Sequence, residues 1–151
     1  MRSRVEAGMP TTIDHIDIRV SDIEASRAFY EAALAPLGWQ VMSSEADPAG
    51  GLEVGFGDRA RMRFALHTPA AAPGQDTVTT GAHIAFEAES REAVKAFHEA
   101  ALAQGARDIG APGPRPEYSD SYYGAFVLDP DGNNIEAVWN APEGMSAAES
   151  G

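Results

Sequence analysis

The chain has 151 residues and a mass of 15.9 kDa, the length of one domain. It contains no cysteine, which excludes disulfides, thiolate metal sites and a cysteine nucleophile. Its 23 Asp and Glu against 11 Lys and Arg give a formal charge of −12, a poor match for phosphate backbones or anionic lipid, and no 18-residue apolar run exists to span a bilayer.

Met1 to Pro10 carries arginines with no apolar stretch behind them, so residues 1–11 read as an N-terminal extension rather than a signal peptide. The expected location is cytoplasmic. The first ordered unit starts with a strand in which Ile16, Ile18 and Val20 share one face and His15, Asp17 and Arg19 the other. Ser21 or Asp22 then caps a helix with apolar positions Ile23, Phe29, Ala33 and Leu37, closed by Gly38. Three strands are expected next, over Trp39–Ser44, Leu52–Phe56 and Arg61–His67.

The pattern then repeats. Asp14–Ala35 and Ala82–Ala103 align at a constant offset of 68 with 11 identities in 22 positions, among them His15 with His83 and Phe29 with Phe97. In the second copy Ile84, Phe86 and Ala88 oppose His83, Ala85 and Glu87; Ser90 caps the helix and Gly105 closes it. A short strand follows near Arg107–Ile109, then strands at Tyr122–Leu128 and Asn133–Trp139 joined by the turn Asp129-Pro130-Asp131-Gly132. Thr68–Gly81 reads as the linker, Gly110–Ser121 as a proline-stiffened loop, and 141–151 as a flexible tail. His98 is expected to be partly exposed on its helix.

Two copies of strand-helix-strand-strand-strand, with the stretch YYGAFVLDPDGNNIEAV at Tyr122–Val138, resemble the vicinal oxygen chelate superfamily. That superfamily includes glyoxalases, fosfomycin-resistance enzymes, extradiol dioxygenases and bleomycin-binding proteins. The resemblance covers residues 12–140, as modules of about 12–68 and 81–140. It implies an α+β fold in which two βαβββ modules carry curved mixed sheets that enclose a cavity holding one divalent metal ion, Mn, Fe, Ni or Zn. His15, His83 and Glu136 fall where such proteins place metal ligands. Strand alternation independently puts the two histidines opposite the apolar faces, and Glu136 opposite Ile135, Ala137 and Trp139. Two imidazoles and a carboxylate leave half an octahedral shell for a substrate with adjacent oxygens.

The resemblance also marks a departure. The acid that glyoxalase I-like members carry on the last strand of module one is missing, and Arg61 or Arg63 is expected in its place. A cavity arginine suits an anionic substrate, because it forks onto carboxylate or phosphonate; the competing reading is a salt bridge with Asp17 or Glu87. If Leu128 pairs with Asn133, Tyr123 faces the cavity beside Glu136 and can orient substrate or donate a proton, while Tyr122 packs inward; a bulge near Gly124 exchanges the two. Arg115 and Tyr118 rim the site, or belong to a plain surface loop. The leading functional expectation is a metal-dependent lyase, isomerase, transferase or dioxygenase acting on a small molecule as a homodimer. The alternative is a metal-free binding protein of the bleomycin-resistance kind, favoured for cationic ligands by the acidic charge.

Overall fold

Each module starts with a strand that runs directly into a capped helix. β1 (Ile16–Arg19) meets α1 (Ile23–Leu34), where the Asp22 carboxylate accepts the backbone N–H groups of Glu24 and Ala25, both at 3.1 Å. A 3-10 turn over Ala35–Leu37 ends at Gly38, whose φ of 83° lies in the left-handed region that glycine occupies without a Cβ clash. β2 (Gln40–Ala46), β3 (Leu52–Gly57) and β4 (Met62–His67) complete module one. Module two repeats the order with β5 (His83–Glu87), α2 (Arg91–Ala103), β6 (Arg107–Pro114), β7 (Tyr122–Leu128) and β8 (Asn134–Asn140). The computed structural model describes residues 11–48 and 50–149, so most of the N-terminal extension lies outside the described residues.

The sheets run β1-β4-β3-β2 and β5-β8-β7-β6, with β1–β4 and β5–β8 parallel and the other pairs antiparallel. This is the expected α+β fold of two βαβββ modules. The two sheets, however, do not close around one cavity. Their apolar faces share a single core with α1 and α2, which pack on each other. Phe64 of β4 and Trp39 both meet Phe86 of β5 edge-on, at 5.4 and 5.1 Å between ring centres. The Tyr30 hydroxyl on α1 donates to Asp129 Oδ2 in the β7–β8 turn at 2.6 Å, tying the modules through a fully buried side chain. Among the described residues no helix is long and apolar enough to cross a membrane.

Four local expectations need correction. β6 continues to Pro114 instead of ending near Ile109. It is an edge strand with register shifts between Asp108 and Gly113, and such a strand tolerates Pro112 and Pro114 because it needs fewer ladder donors. His98 is buried at 8% exposure, because β6 covers that face of α2 and Asp108 Oδ1 sits 3.1 Å from its Nε2. The C-terminal segment is held through Glu149. Arg91 donates to the carbonyls of Ser146, Ala147 and Ala148, and Ala147 is 1% exposed. Finally, the β7–β8 register is Leu128↔Asn134, one residue from the expected pairing. Asn133 belongs to the turn, exchanging backbone and side-chain hydrogen bonds with Asp129.

Candidate functional site

That one-residue difference decides which tyrosine reaches Glu136. A strand side chain changes face with every residue, so the observed register places Tyr122 on the Glu136 face and Tyr123 in the core. Tyr123 is fully buried, with its hydroxyl 3.4 Å from Glu149 Oε1, and does not take the substrate-side role expected of it.

Glu136 lies across from Ala85 on β5 and Phe126 on β7, and is 1% exposed. A carboxylate this deep requires partners, and it has two. Its Oε1 is 2.9 Å from His83 Nε2, and its Oε2 accepts a short hydrogen bond from the Tyr122 hydroxyl. Burial, and then the bond to Glu136, push the Tyr122 phenol well above its ordinary pKa, so it stays a proton donor at neutral pH. Gly124 makes the contact possible. A Cβ there would stand 3.0 Å from Glu136 Oε2 and 3.3 Å from Tyr122 Cε1.

Around this pair Phe126 lies 6.0 Å from the His83 ring, and Tyr118 meets Tyr122 edge-on at 5.0 Å. The Arg115 guanidinium stands 5.4 Å over Phe126 but spends Nη1 and Nη2 on the carbonyls of Gly113 and Ala111, at 3.0 and 2.6 Å. Tyr122, Gly124 and Phe126 are the site residues that alternation alone missed. The missed signal was the turn chemistry of Asp129 and Asn133, which sets the register.

Module one presents a different face. His15 stands one residue before β1, half exposed, with Nδ1 2.8 Å from Asp14 Oδ1. That hydrogen bond first, and Asp17 next, raise the imidazole pKa. The Asp14 carboxyl is lowered by the same bond and by Arg61, whose Nη1 is 2.9 Å away. His67 sits between two carboxylates, with Nδ1 2.7 Å from Asp47 and Nε2 3.1 Å from Asp17.

The register also corrects the missing-acid position. Asp17 and Ala85 are repeat mates; Asp17 pairs with Ala65, and Ala85 pairs with Glu136. Ala65 therefore occupies the place of the acid, not Arg61 or Arg63. Arg63 matches Asn134 instead, and is bound to the Asp14 carbonyl at 3.3 Å and to Asp58 at 3.9 Å rather than to Asp17 or Glu87.

Within one chain the geometry thus brings His83 and Glu136 together and leaves His15 on the other sheet. Among the described residues no group of three or more His, Cys, Asp or Glu side chains is placed to hold a metal ion.

The comparisons with known proteins agree with this architecture. The family model described as "Glyoxalase/Bleomycin resistance protein/Dioxygenase superfamily" matches residues 12–137. A glyoxalase/bleomycin resistance protein from Albidiferax ferrireducens T118 is 32% identical, with a TM-score of 0.68 over 84% of this chain and 98% of that one. A glyoxalase/bleomycin resistance protein/dioxygenase family enzyme from Burkholderia phytofirmans PsJN, at 24% identity, gives 0.64 over 86% and 99%. Glyoxalase I from Zea mays, at 22% identity, gives 0.61 over 89% of this chain and 47% of that one. No curated protein matches the chain.

Proposed function

The chain belongs to the glyoxalase/bleomycin resistance protein/dioxygenase superfamily, and we propose that it is a divalent-metal-dependent enzyme whose site is built on His83 and Glu136 and completed by His15 of a second copy. The observation that carries this reading is the buried Glu136 carboxylate, clamped between the Tyr122 hydroxyl and His83, whose own side chain is half exposed.

The donors suit a borderline cation, with imidazole nitrogen and carboxylate oxygen and no thiolate. His15 is oriented like a waiting ligand. Asp14 holds its Nδ1, which leaves Nε2 as the free nitrogen, the arrangement in which an outer carboxylate fixes a metal-binding histidine. His83 and Glu136 supply two donors and His15 of the second copy the third. The chemistry such an ion supplies when bound is Lewis-acid polarisation of two adjacent substrate oxygens. Glu136 is positioned to move a proton at the reacting carbon or oxygen, and Tyr122 keeps that carboxylate in place as a protonated donor. Phe126 and Tyr118 give the face its apolar wall. Lyase, isomerase, transferase and ring-cleaving steps all fit this set.

A second reading has its own observation. Both Glu136 oxygens are already satisfied by His83 and Tyr122, which fits a protein that binds small molecules without metal. Metal analysis of the purified protein separates the two, together with melting after chelation and after addition of Mn, Fe, Ni or Zn. Shared ligation has its own test. His15→Ala and Glu136→Gln chains, each metal-free alone, should regain about a quarter of the sites when mixed, because half of randomly paired dimers carry one intact site. No recovery in the mixture, with metal retained by the wild type, places all ligands in one chain. A wild type without metal, unmoved by chelator or ions, leaves the binding-protein reading standing.

A further inference from the structure

After β8 the chain folds back onto the two residues that lead into Tyr122. The Ala141 N–H donates to the Ser121 carbonyl at 2.8 Å, and the Ala147 N–H to the Asp120 carbonyl at 2.9 Å. α2 holds this segment down. Arg91 Nε donates to the Ala147 carbonyl at 3.0 Å and Nη2 to those of Ser146 and Ala148 at 2.8 and 3.1 Å, while the guanidinium lies 4.7 Å over Trp139. Lys95 pairs with Glu149, whose Oε1 also accepts from the Tyr123 hydroxyl at 3.4 Å. Ala147 is buried in the core.

Residues 120–123 are therefore gripped from both sides. The C-terminal segment holds Asp120, Ser121 and Tyr123, whereas Tyr122, the first residue of β7, reaches the other way to Glu136 and meets Tyr118. Apart from the ladder bond that Arg115 N–H makes to the Tyr122 carbonyl, the turn before β7 has weak bonds of its own. Tyr122 N–H is 3.3 Å from the Ser119 carbonyl, and Tyr118 and Ser119 share the Arg115 carbonyl at 3.0 and 3.3 Å. The short bonds that order Asp120 and Ser121 come from the C-terminal segment.

We propose that this segment is a strap that sets the Tyr122 hydroxyl on Glu136, with Arg91 as its positioning residue. Lifting the strap frees the backbone that carries Tyr122, and Glu136 Oε2 loses its donor. The inference deepens the proposed function and rests on it for what the clamped carboxylate does, while its test needs neither metal nor turnover.

The chain has four tyrosines, and three of them separate the possibilities. In the full chain labelled with [ζ-¹³C]tyrosine and stripped of metal, Tyr123 reports the strap, Tyr122 the Glu136 contact, and Tyr30, bonded to Asp129, the core. Arg91→Ala should move the Tyr123 signal, carry the Tyr122 signal toward its position in Glu136→Gln, and leave Tyr30 in place. Glu149→Gln, a milder change at a half-exposed side chain, should move Tyr122 the same way by less. Coupling between two sites is reciprocal, so Tyr122→Phe should speed proteolytic cutting within residues 142–149 by roughly fivefold. The proposal is overturned if Tyr123 moves and Tyr122 does not, or if Tyr122→Phe leaves the cutting rate unchanged. It is also overturned if Tyr30 moves with the others, because the substitution then loosens the whole fold. A wild type without metal overturns the proposed enzyme and alters none of these outcomes.

Discussion

Replacing Tyr122 by Phe removes one oxygen from the molecule and one hydrogen bond from Glu136. The carboxylate is 1% exposed, so water cannot take the place of the lost donor, and Oε2 is left unpaired while His83 still holds Oε1. Leaving such an acceptor unsatisfied costs about 1–3 kcal/mol, and for a domain of this size each kcal/mol lowers the melting temperature by about 2–4 °C. The metal-free variant should therefore melt about 6 °C lower than the metal-free wild type, by calorimetry at neutral pH. The loss is specific to the charge it uncovers. In the Glu136→Gln background the same change should cost much less, giving a coupling of about 1–2 kcal/mol in the double-mutant cycle. A bound divalent ion gives Glu136 a positive partner, so adding the ion should narrow the gap between Tyr122→Phe and wild type. Additivity of the two substitutions to within about 0.3 kcal/mol would refute the reasoning, because residues that truly share a buried contact do not add.

Gly124→Ala should lower stability by about 1–3 kcal/mol, since the new methyl meets a carboxylate and a phenol ring that are clamped and cannot step aside; calorimetry should find a smaller loss in Tyr122→Phe. Tyr30→Phe should cost about 1.5–3 kcal/mol at neutral pH, from the lost bond to Asp129. Burial first, and Asp129 next, hold the Tyr30 phenol well above its ordinary pKa. In the unfolded chain the phenol ionises near pH 10, so native stability falls as pH rises beyond that, and urea melts from pH 8 to 11 should show a shallower fall in Tyr30→Phe. Arg91→Ala removes the donor shared by three tail carbonyls and the cation 4.7 Å over Trp139, so limited proteolysis should cut within residues 142–149 several times faster while the core stays intact.

The fold was legible because duplication writes the same instruction twice. His15-Ile16 and His83-Ile84 begin equivalent strands, and the shared Glu-Ala-Ala-Leu-Ala run ends equivalent helices, so each copy supports the reading of the other. What alternation cannot supply is an absolute register. Placing Asn133 in the strand instead of the turn sends every β7 side chain to the wrong face, which is how Tyr123 came to be expected where Tyr122 stands. The cue was local. Asp129 is a buried acceptor for the backbone N–H groups of Asp131 and Asn133 and for the Asn133 amide, so Pro130-Asp131-Gly132 is a three-residue loop between a bonded pair. His98 and the C-terminal segment were misread for a different reason. Their burial comes from Asp108 on β6 and from Arg91 on α2, partners that no pattern within their own segments encodes.

The site was legible only as separate residues, and the reason lies in how the two copies diverged. Both kept the histidine at the head of the first strand, but only module two has a carboxylate at the position facing the middle of that strand; module one has Ala65 there, beside Asp17. Gly55 stands across from Ala65 with Ser43 and Met62 filling the space beside it, while the matching stretch of module two holds Glu136 under Phe126 and Tyr122. One face therefore carries acids paired with His67, Arg61 and Arg63 and an oriented imidazole at its edge, and the other is a clamped carboxylate with a histidine. The core directs these faces apart, because α1 and α2 pack against each other and Tyr30 locks onto Asp129 across the module boundary. Complementary halves held apart in one chain can meet between two, and the arrangement that separates them is made of buried contacts too extensive to rearrange at the cost of a few kcal/mol. The proposed site therefore calls on His15 of a second molecule, and metal recovery in the mixture of His15→Ala and Glu136→Gln chains tests it.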